Sequence, residues 1–363
     1  MLFRLGRRFY DLARPGDFLR FPMGLADKAR FARMMLRAFR KRDWTDWHDR
    51  SAEELIDRWA GPGVRERIFE PLARLKFDLP CREVSGAWMG ARLHFREGSA
   101  PLGYIPGCNW TAVLCSGVAR LMEEAGVRVR LRSRVRAIEV EAGRATGAVL
   151  EDGERVGADL FVSTVPTEVY RKLVPGDETP GLAAIRYTAV LSAICATRQR
   201  VEPDFYWMNL ASLDRQAGGL FRLESLNPTI GGPGEACLNF VTHVPDRGRP
   251  LFRASDDEIW SGYRDDWREI FGCELEPTWT RLTRLPLYSP VFGKGYANPP
   301  VRSASWPNVY FAGNYRTFPS IASTGTALES GLEAAAAVVR DRGMDDDPRE
   351  AVRRFRLRSM PRA

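Results

Sequence analysis

Between residues 18 and 42, Leu25, Ala29, Ala32, Leu36 and Phe39 recur at steps of four and three, the spacing of one helical face. Arg30, Arg33, Arg37, Arg40 and Lys41 fall largely outside that stripe, so the segment reads as a basic amphipathic helix. Two environments suit it: the surface of its own domain, or a membrane surface. Ser51 and Glu54 have capping-box spacing and open a second helix through Trp59, which stops near Gly61-Pro62-Gly63. Val64–Leu75 continues as helix, and the first hundred residues read as mainly α.

The texture changes after Gly103. A turn-rich stretch, Gly103–Gly107, leads into a helix over Trp110–Ala125 that Gly126 closes. Val127–Leu131 and Arg134–Glu141 then alternate as strands. Ala145–Leu150 follows a glycine turn, Asp152-Gly153 makes another, and Asp159–Ser163 is a short apolar strand ending at Thr164-Val165-Pro166. A longer strand-like run covers Tyr187–Arg200. Residues 201–290 mix strands with Pro/Gly turns and one helix, Asp256–Phe271. The last unit is a strand over Val309–Ala312, a loop from Gly313, and a helix over Thr326–Arg342, with Thr326 and Glu329 at capping-box spacing.

Composition narrows the classes. With 363 residues, 44% hydrophobic and 28% charged, the chain is long enough for two cored domains or one interleaved fold. The formal net charge of +8 is concentrated at the ends. Residues 1–50 hold thirteen Lys/Arg against six Asp/Glu, whereas residues 51–339 are nearly balanced. A nucleic-acid role lacks a Cys/His finger, an RRM-type strand pair or a helix-turn-helix, so no nucleic-acid partner is expected. The six cysteines form no Cys-x-x-Cys, which fits a reduced, cytoplasmic protein, and the three isolated histidines suggest no metal site. The amino-terminal stretch is not a signal peptide, and Leu182–Thr197 is too short and too interrupted by Arg186 to span a bilayer.

Residues 306–339 carry the chemistry. A buried strand runs into Gly313-Asn314, where the missing side chain at Gly313 permits close approach of a ligand to the backbone. After a loop, Ser323-Thr324-Gly325-Thr326 opens a helix lined by small residues, whose free N–H groups suit a phosphate or a negatively charged heterocycle. Taken alone, this is also the pattern of an ordinary strand–loop–helix crossover. The whole string resembles the C-terminal flavin motif of the FAD-dependent amine oxidase superfamily, which includes protoporphyrinogen oxidases, phytoene-type desaturases and amine oxidases. Leu102–Gly107 with its following helix, Arg134-Val135 and Ala158–Pro166 are similar to that family's central flavin-domain segment.

The resemblance implies an α/β, mixed α+β fold: a Rossmann-like FAD/NAD(P)-binding domain interleaved with an α+β substrate domain. It assigns 1–103 and 181–295 to the substrate domain, 104–180 and 296–342 to the FAD domain, and 343–363 to a basic tail. It implies FAD as cofactor. Gly313 and Asn314 are expected by the ribityl-pyrophosphate, and Ser323, Thr324, Gly325, Thr326, Ala327 and Leu328 at the isoalloxazine. Val135, through its backbone at the adenine end, and Pro166 complete the expected cofactor contacts.

Two features depart from the family pattern. The Gly-x-Gly-x-x-Gly βαβ unit with its downstream acid is missing. The near match Gly232-Pro233-Gly234 follows a turn, has Cys237 where the third glycine belongs, and reads as a hairpin loop. The chain is therefore expected to begin after the dinucleotide unit; a start further upstream, a partner chain that supplies the unit and a true loss of it are the alternatives. The strand around Ala189–Ala196 also lacks the Lys that amine-oxidising members place near the flavin. The expected activity is hydride removal from a small apolar substrate, in a desaturase-like or protoporphyrinogen-oxidase-like reaction. The alternatives are a flavin-dependent mutase or isomerase, or a split flavoprotein subunit. Aromatic residues including Tyr206, Trp207, Trp260, Tyr263, Trp267, Trp279, Tyr288 and Phe292 supply core, with some available for a substrate tunnel. Arg92 and Arg96 are candidates for a substrate carboxylate or phosphate, or for ordinary surface charge. The basic start favours peripheral contact with the inner face of a membrane through residues 18–42.

Overall fold

The computed structural model describes residues 2–5, 8–12, 14–98, 103–210 and 215–351. Leu102, the side chain of Arg96 and residues 352–363 of the basic tail lie outside them. In chain order the elements begin with β1 (Leu2–Leu5), β2 (Arg8–Asp11), α1 (Pro15–Arg20), α2 (Leu25–Arg40), α3 (Ala52–Trp59), α4 (Pro62–Val64), α5 (Glu70–Phe77), α6 (Gly86–Gly98) and α7 (Trp110–Glu124). A strand-rich stretch follows: β3 (Val135–Glu141), β4 (Arg144–Leu150), β5 (Arg155–Gly157), β6 (Phe161–Ser163), α8 (Thr167–Leu173), β7 (Tyr187–Thr197), β8 (Trp207–Asn209), β9 (Gly219–Arg222) and β10 (Ala236–Val244). The chain ends with α9 (Pro250–Arg253), α10 (Asp256–Phe271), β11 (Pro277–Pro290), β12 (Val309–Phe311) and α11 (Thr324–Asp341).

The chain forms two compact units, Met1–Val129 with Tyr187–Gly295, and Arg130–Arg186 with Tyr296–Ala363. The first is built on a seven-stranded sheet in the order β11-β7-β10-β9-β8-β1-β2. Its strands pair antiparallel except β1 with β8. Alternation along a strand sends successive side chains to opposite faces. Ala189, Leu191, Ala193 and Cys195 of β7 join Leu238 and Phe240 of β10 in a buried core with Ile259, Trp260, Tyr263 and Trp267 of α10. The α10 helix is bounded by a Ser255–Glu258 capping box and by Gly272, whose φ of 74° suits glycine.

The amino-terminal helices pack on one another. Trp44 is buried against α6, and a Cβ at Gly90 would lie 2.0 Å from its ring. The helical stretch at 18–42 is two helices: Phe21–Gly24, with Pro22 and Gly24, interrupts it. Nor is the start purely α, because β1 and β2 form a hairpin at the sheet edge. The strand expected over Val127–Leu131 does not form; it has no pairing partner among the described residues, and Val127, Val129 and Leu131 are exposed. Helix α7 buries none of its side chains. The unit boundaries at Val129 and Tyr187 differ from 103/104 and 180/181, since the segment before α7 is tied into the first unit by Gly107 N–H to Thr229 Oγ1 at 3.0 Å. Gly232–Gly234 lies in the connection between antiparallel β9 and β10, as a hairpin loop.

The second unit holds the β3-β4-β5 meander, a parallel β6–β12 pair, α8 and α11. One buried side chain joins its strands. Asn308 Oδ1 accepts from the Ala145 N–H at 3.0 Å, while Nδ2 donates to the carbonyls of Ala145 at 2.7 Å and Asp159 at 3.0 Å. Tyr170 of α8 meets Phe311 of β12 edge-on at 4.9 Å.

Gly90→Ala is expected to lower stability by about 1–3 kcal/mol, because the fully enclosed Trp44 ring has no room to withdraw. Urea denaturation of the variant against the parent measures this.

Candidate functional site

The parallel strands β6 and β12 end side by side, with the Ala312 N–H donating to the Ser163 carbonyl at 3.0 Å. At the next residue the chain turns. Gly313 has φ 143° and ψ 177°, a conformation side chains disfavour. A Cβ there would also lie 2.9 Å from Cε1 of the buried Tyr315 and 3.6 Å from the Thr164 carbonyl. The glycine is therefore required by its positive φ and by the Tyr315 ring, which occupies the space a side chain would need.

Ser330 holds this turn to α11. Its hydroxyl oxygen accepts from the Gly313 N–H at 2.8 Å, and its proton reaches the Ala327 carbonyl at 2.6 Å. Tyr315 donates to the Ser163 carbonyl at 3.4 Å, and Tyr296 donates to the Tyr315 carbonyl at 2.6 Å. The strand ends, the 313–316 turn and the first turns of α11 thus form one hydrogen-bonded body.

The helix opens earlier than its sequence spacing suggests. Ser323, not Thr326, is the cap: its Oγ accepts from the Thr326 N–H at 3.2 Å, and the Ser323 N–H donates to Thr326 Oγ1 at 3.0 Å. Glu329 takes no part in the cap and lies 3.3 Å from Arg349 instead. The N–H groups of Thr324 and Gly325 have no acceptor among the described residues, as the first turn of a helix demands unless something else supplies one. Thr324, Gly325 and Leu328 are exposed, and Ala327 adds only a methyl group. Asn314 is partly exposed beside this turn.

The expected site residues therefore divide by what they do. Gly313, Asn314, Thr324, Gly325, Ala327 and Leu328 lie on one strand-end and helix-start, where the Thr324 and Gly325 N–H groups are the free donors among the described residues. Ser323 and Thr326 spend their hydroxyl groups on the cap. Pro166 is the residue before α8, just beyond the Thr164 carbonyl that faces Gly313. Val135 starts β3, paired with Leu150, and no recorded contact joins it to Gly313. Ser330 and Tyr315 are functional scaffolding that pattern reading misses. The only signal for Ser330 is a hydroxyl two turns beyond the Ser323 cap on an otherwise alanine-rich helix.

A flavin can be tested against this geometry. Its pyrimidine edge carries hydrogen-bond acceptors and becomes negatively charged on reduction. Two unpaired N–H groups at a helix amino terminus, beside a turn without side chain, match both requirements. The residues present fit that half of the group. No Gly-x-Gly-x-x-Gly turn for its pyrophosphate occurs in the sequence.

In the first unit, the sheet face turned away from α10 carries Val190, Ser192, Ile194 and Ala196 on β7 and Asn239, Val241 and His243 on β10. It has no Lys on β7, and Trp279 and Leu285 of β11 are exposed beside it. At one end sits a cationic cluster. Lys76 is half-buried, and this desolvation, reinforced by the Arg92 charge, pulls its pKa down to about 7. Burial, with the Lys76 and Arg92 charges, lowers His243 to about 3. His243 Nδ1 is buried without a hydrogen-bond partner among the described residues, and its ring lies 5.5 Å from Tyr288. Arg92 lies over the Trp88 ring at 5.8 Å.

Comparison with known proteins agrees with this geometry. The profile of the family described as flavin containing amine oxidoreductase matches residues 1–339. The 15-cis-phytoene desaturase of Solanum lycopersicum is 30% identical over 271 residues, covering 69% of this chain and 43% of the desaturase. The chain thus spans less than half the length of that curated relative. Among solved structures, an oxidoreductase from Methanosarcina mazei superposes with a TM-score of 0.67 at 15% identity, over 91% of this chain and 79% of that one. A reduced UDP-galactopyranose mutase superposes with a TM-score of 0.60 at 14% identity, over 88% and 74%. At such identities the structures establish the shared fold.

Two outcomes test the site's construction. Ser330→Ala leaves the Gly313 N–H without its acceptor and is expected to cost about 1–3 kcal/mol, read by chemical denaturation. Lys76→Met removes an amine that an unfolded chain keeps protonated to its ordinary 10.5 and the folded chain releases near 7. Between those values the unfolded state binds more protons, so this group makes stability rise with pH, and below 7 its full penalty is present. The variant is expected to melt above the parent at pH 6, with the difference shrinking as pH climbs towards 10.

Proposed function

The chain belongs to the flavin containing amine oxidoreductase family, and we propose that it serves FAD-dependent dehydrogenation of an apolar substrate. The observation that carries this reading is the α11 amino terminus, with two unpaired N–H groups set beside the Gly313 turn. Bound flavin supplies a two-electron acceptor for hydride. The helix end stabilises negative charge on a heterocycle by roughly 0.3–2 kcal/mol, and Ser330 and Tyr315 hold that end in place. Gly313, Asn314, Thr324, Gly325, Ala327 and Leu328 are the proposed flavin contacts, with Val135 and Pro166 as proposed contacts further along the cofactor.

The substrate class rests on the open sheet face of the first unit. Half-buried Ile194 and Val241 and exposed Trp279 and Leu285 give it apolar area, Ser192 donates to Asn239 Oδ1 at 3.0 Å, and Arg281 stands beside Ile194. No lysine on β7 is available to assist amine oxidation, whereas hydride removal from carbon needs chiefly a shaped apolar surface. The 15-cis-phytoene desaturase of tomato, similar in sequence, supports the desaturase form of this reading.

Tight FAD binding also requires groups that the residues of this chain do not provide. A nanomolar site needs about −12 kcal/mol, against roughly 0.3–2 kcal/mol from the helix end and roughly 0.5–1.5 kcal/mol for each net hydrogen bond. We infer that a Gly-rich βαβ segment from further polypeptide adds parallel strands to the β6–β12 pair and supplies the pyrophosphate site. Parallel strands are ordinarily covered on both faces, and Val162 in the middle of β6 is 51% exposed.

Titration of the purified 363-residue chain with FAD is expected to show weak uptake, becoming stoichiometric and tight when a Gly-x-Gly-x-x-Gly Rossmann polypeptide is co-expressed. Tight uptake by the chain alone would overturn the complementation. A requirement for reduced flavin without net oxidation of any product would replace dehydrogenation with the mutase-type reading.

A further inference from the structure

Beside the inward face that buries Met34 and Ala38 and packs Phe31, α2 turns a second apolar row outward. Lys28, Met34 and Ala38 are the residues it buries. Leu25, Leu36 and Phe39, at one angular position on the helix, are 77%, 50% and 52% exposed, and Ala29 and Ala32 between them are exposed too. The stripe that sequence periodicity identifies is thus directed away from the protein over about 21 Å of helix. Leu19, at 63% exposure, stands on the preceding short helix α1. Single exposed leucines are commonplace, but a continuous helical row of them is not.

The charge beside the row is one-sided. Arg33, Arg37 and Arg40 follow its flank at helical spacing, all exposed. Arg37, Arg40 and Lys41 line a shallow cavity of about 440 Å³ floored by Trp59, with Arg37 5.8 Å from the Trp59 ring. Lys41 is held by Asp46 at 2.9 Å and Arg30 by Asp27 at 3.0 Å, whereas Arg33 and Arg40 make no ion pair among the described residues. Lys28 is turned inward to the Leu19 carbonyl at 2.6 Å, which commits the polar residue of the buried side to the protein and leaves the outward row apolar.

We propose that α2 lies in the surface of an anionic lipid bilayer, with Leu25, Leu36 and Phe39 among the acyl chains and Arg33, Arg37 and Arg40 on the lipid phosphates. Charge complementarity selects this occupant. A second copy of the chain would set the arginine row against its own kind or against neutral surface, and a neutral protein groove would leave three guanidinium groups unmatched. An interfacial helix needs an apolar row at the depth of the acyl boundary and cations at the headgroups, which is the order found here. No described helix is long and apolar enough to cross a membrane, so the contact is one of lying on the surface.

The full chain should co-float with vesicles of phosphatidylcholine containing phosphatidylglycerol, and bind them about a hundredfold more tightly than phosphatidylcholine alone, as expected for three cations near a charged surface. High salt should erase that preference. Leu36→Ser with Phe39→Ser should abolish binding without altering net charge, and Arg33→Gln with Arg37→Gln and Arg40→Gln should remove the preference for the anionic vesicles. Because all these side chains are exposed, the variants should keep the parent's thermal melt. Equal binding to both vesicles, unchanged binding by the Leu36/Phe39 variant, or a dimer that this variant splits while vesicles go unbound would each overturn the proposal. The outcome is independent of flavin binding.

Discussion

A single buried amide organises the second unit. Asn308 uses one oxygen and one nitrogen to hold the Ala145 backbone in both directions, and its second N–H reaches Asp159. Without it, the buried Ala145 N–H and carbonyl lose their partner, at about 1–3 kcal/mol for each unsatisfied group, and the Asp159 carbonyl loses its donor. The consequence is positional as much as energetic. Asn308 stands immediately before β12, so fixing it against the meander and against the segment before β6 fixes where β12 ends at Phe311 and where the Gly313 turn follows. Every contact that shapes the proposed flavin end of this unit, from Ser330 to Tyr315, is measured from that point.

The same economy explains why the site is built mainly from backbone. Ser323 and Thr326 are consumed in the cap, Ser330 in holding the turn, and Tyr315 in blocking the space a side chain at 313 would need. What remains directed outward is a pair of N–H groups and small side chains. Such a surface recognises charge and shape rather than one substituent, which suits a heterocycle whose charge changes with its redox state. The first unit shows the complementary choice. Its sheet commits one face to a dense aromatic core around Trp267 and Tyr263 and leaves the other partly open, with Arg281 in register with Ile194 and the Lys76 and Arg92 charges beside a neutral His243 at one end.

Local pattern was enough for much of this. The Ser51–Glu54 box, the Asp256–Phe271 helix and the long β7 strand stand where their periodicity and caps put them, because each is specified by neighbours in sequence. Elements that depend on a partner were not legible in the same way. Val127–Leu131 alternates like a strand yet stays unpaired, and β1 and β2 form beside β8, a strand two hundred residues away. The α11 cap moved by one turn because Ser323 and Thr326 satisfy each other, a competition between two adjacent hydroxyl pairs that spacing alone leaves open.

The sequence by itself determined the types of the strongly periodic elements, the family resemblance through the Gly313–Ser330 region, and the position of the apolar stripe on α2. It left open which way that stripe faces. Periodicity records that a helix has an apolar side, but the direction of that side follows from what the other faces bury, here Lys28, Met34 and Ala38. Likewise a serine on an alanine-rich helix carries no message until the fold brings the Gly313 N–H to within 2.8 Å of its hydroxyl. Hydrogen bonds and burial between distant segments depend on three-dimensional proximity, and only the tertiary structure supplies it.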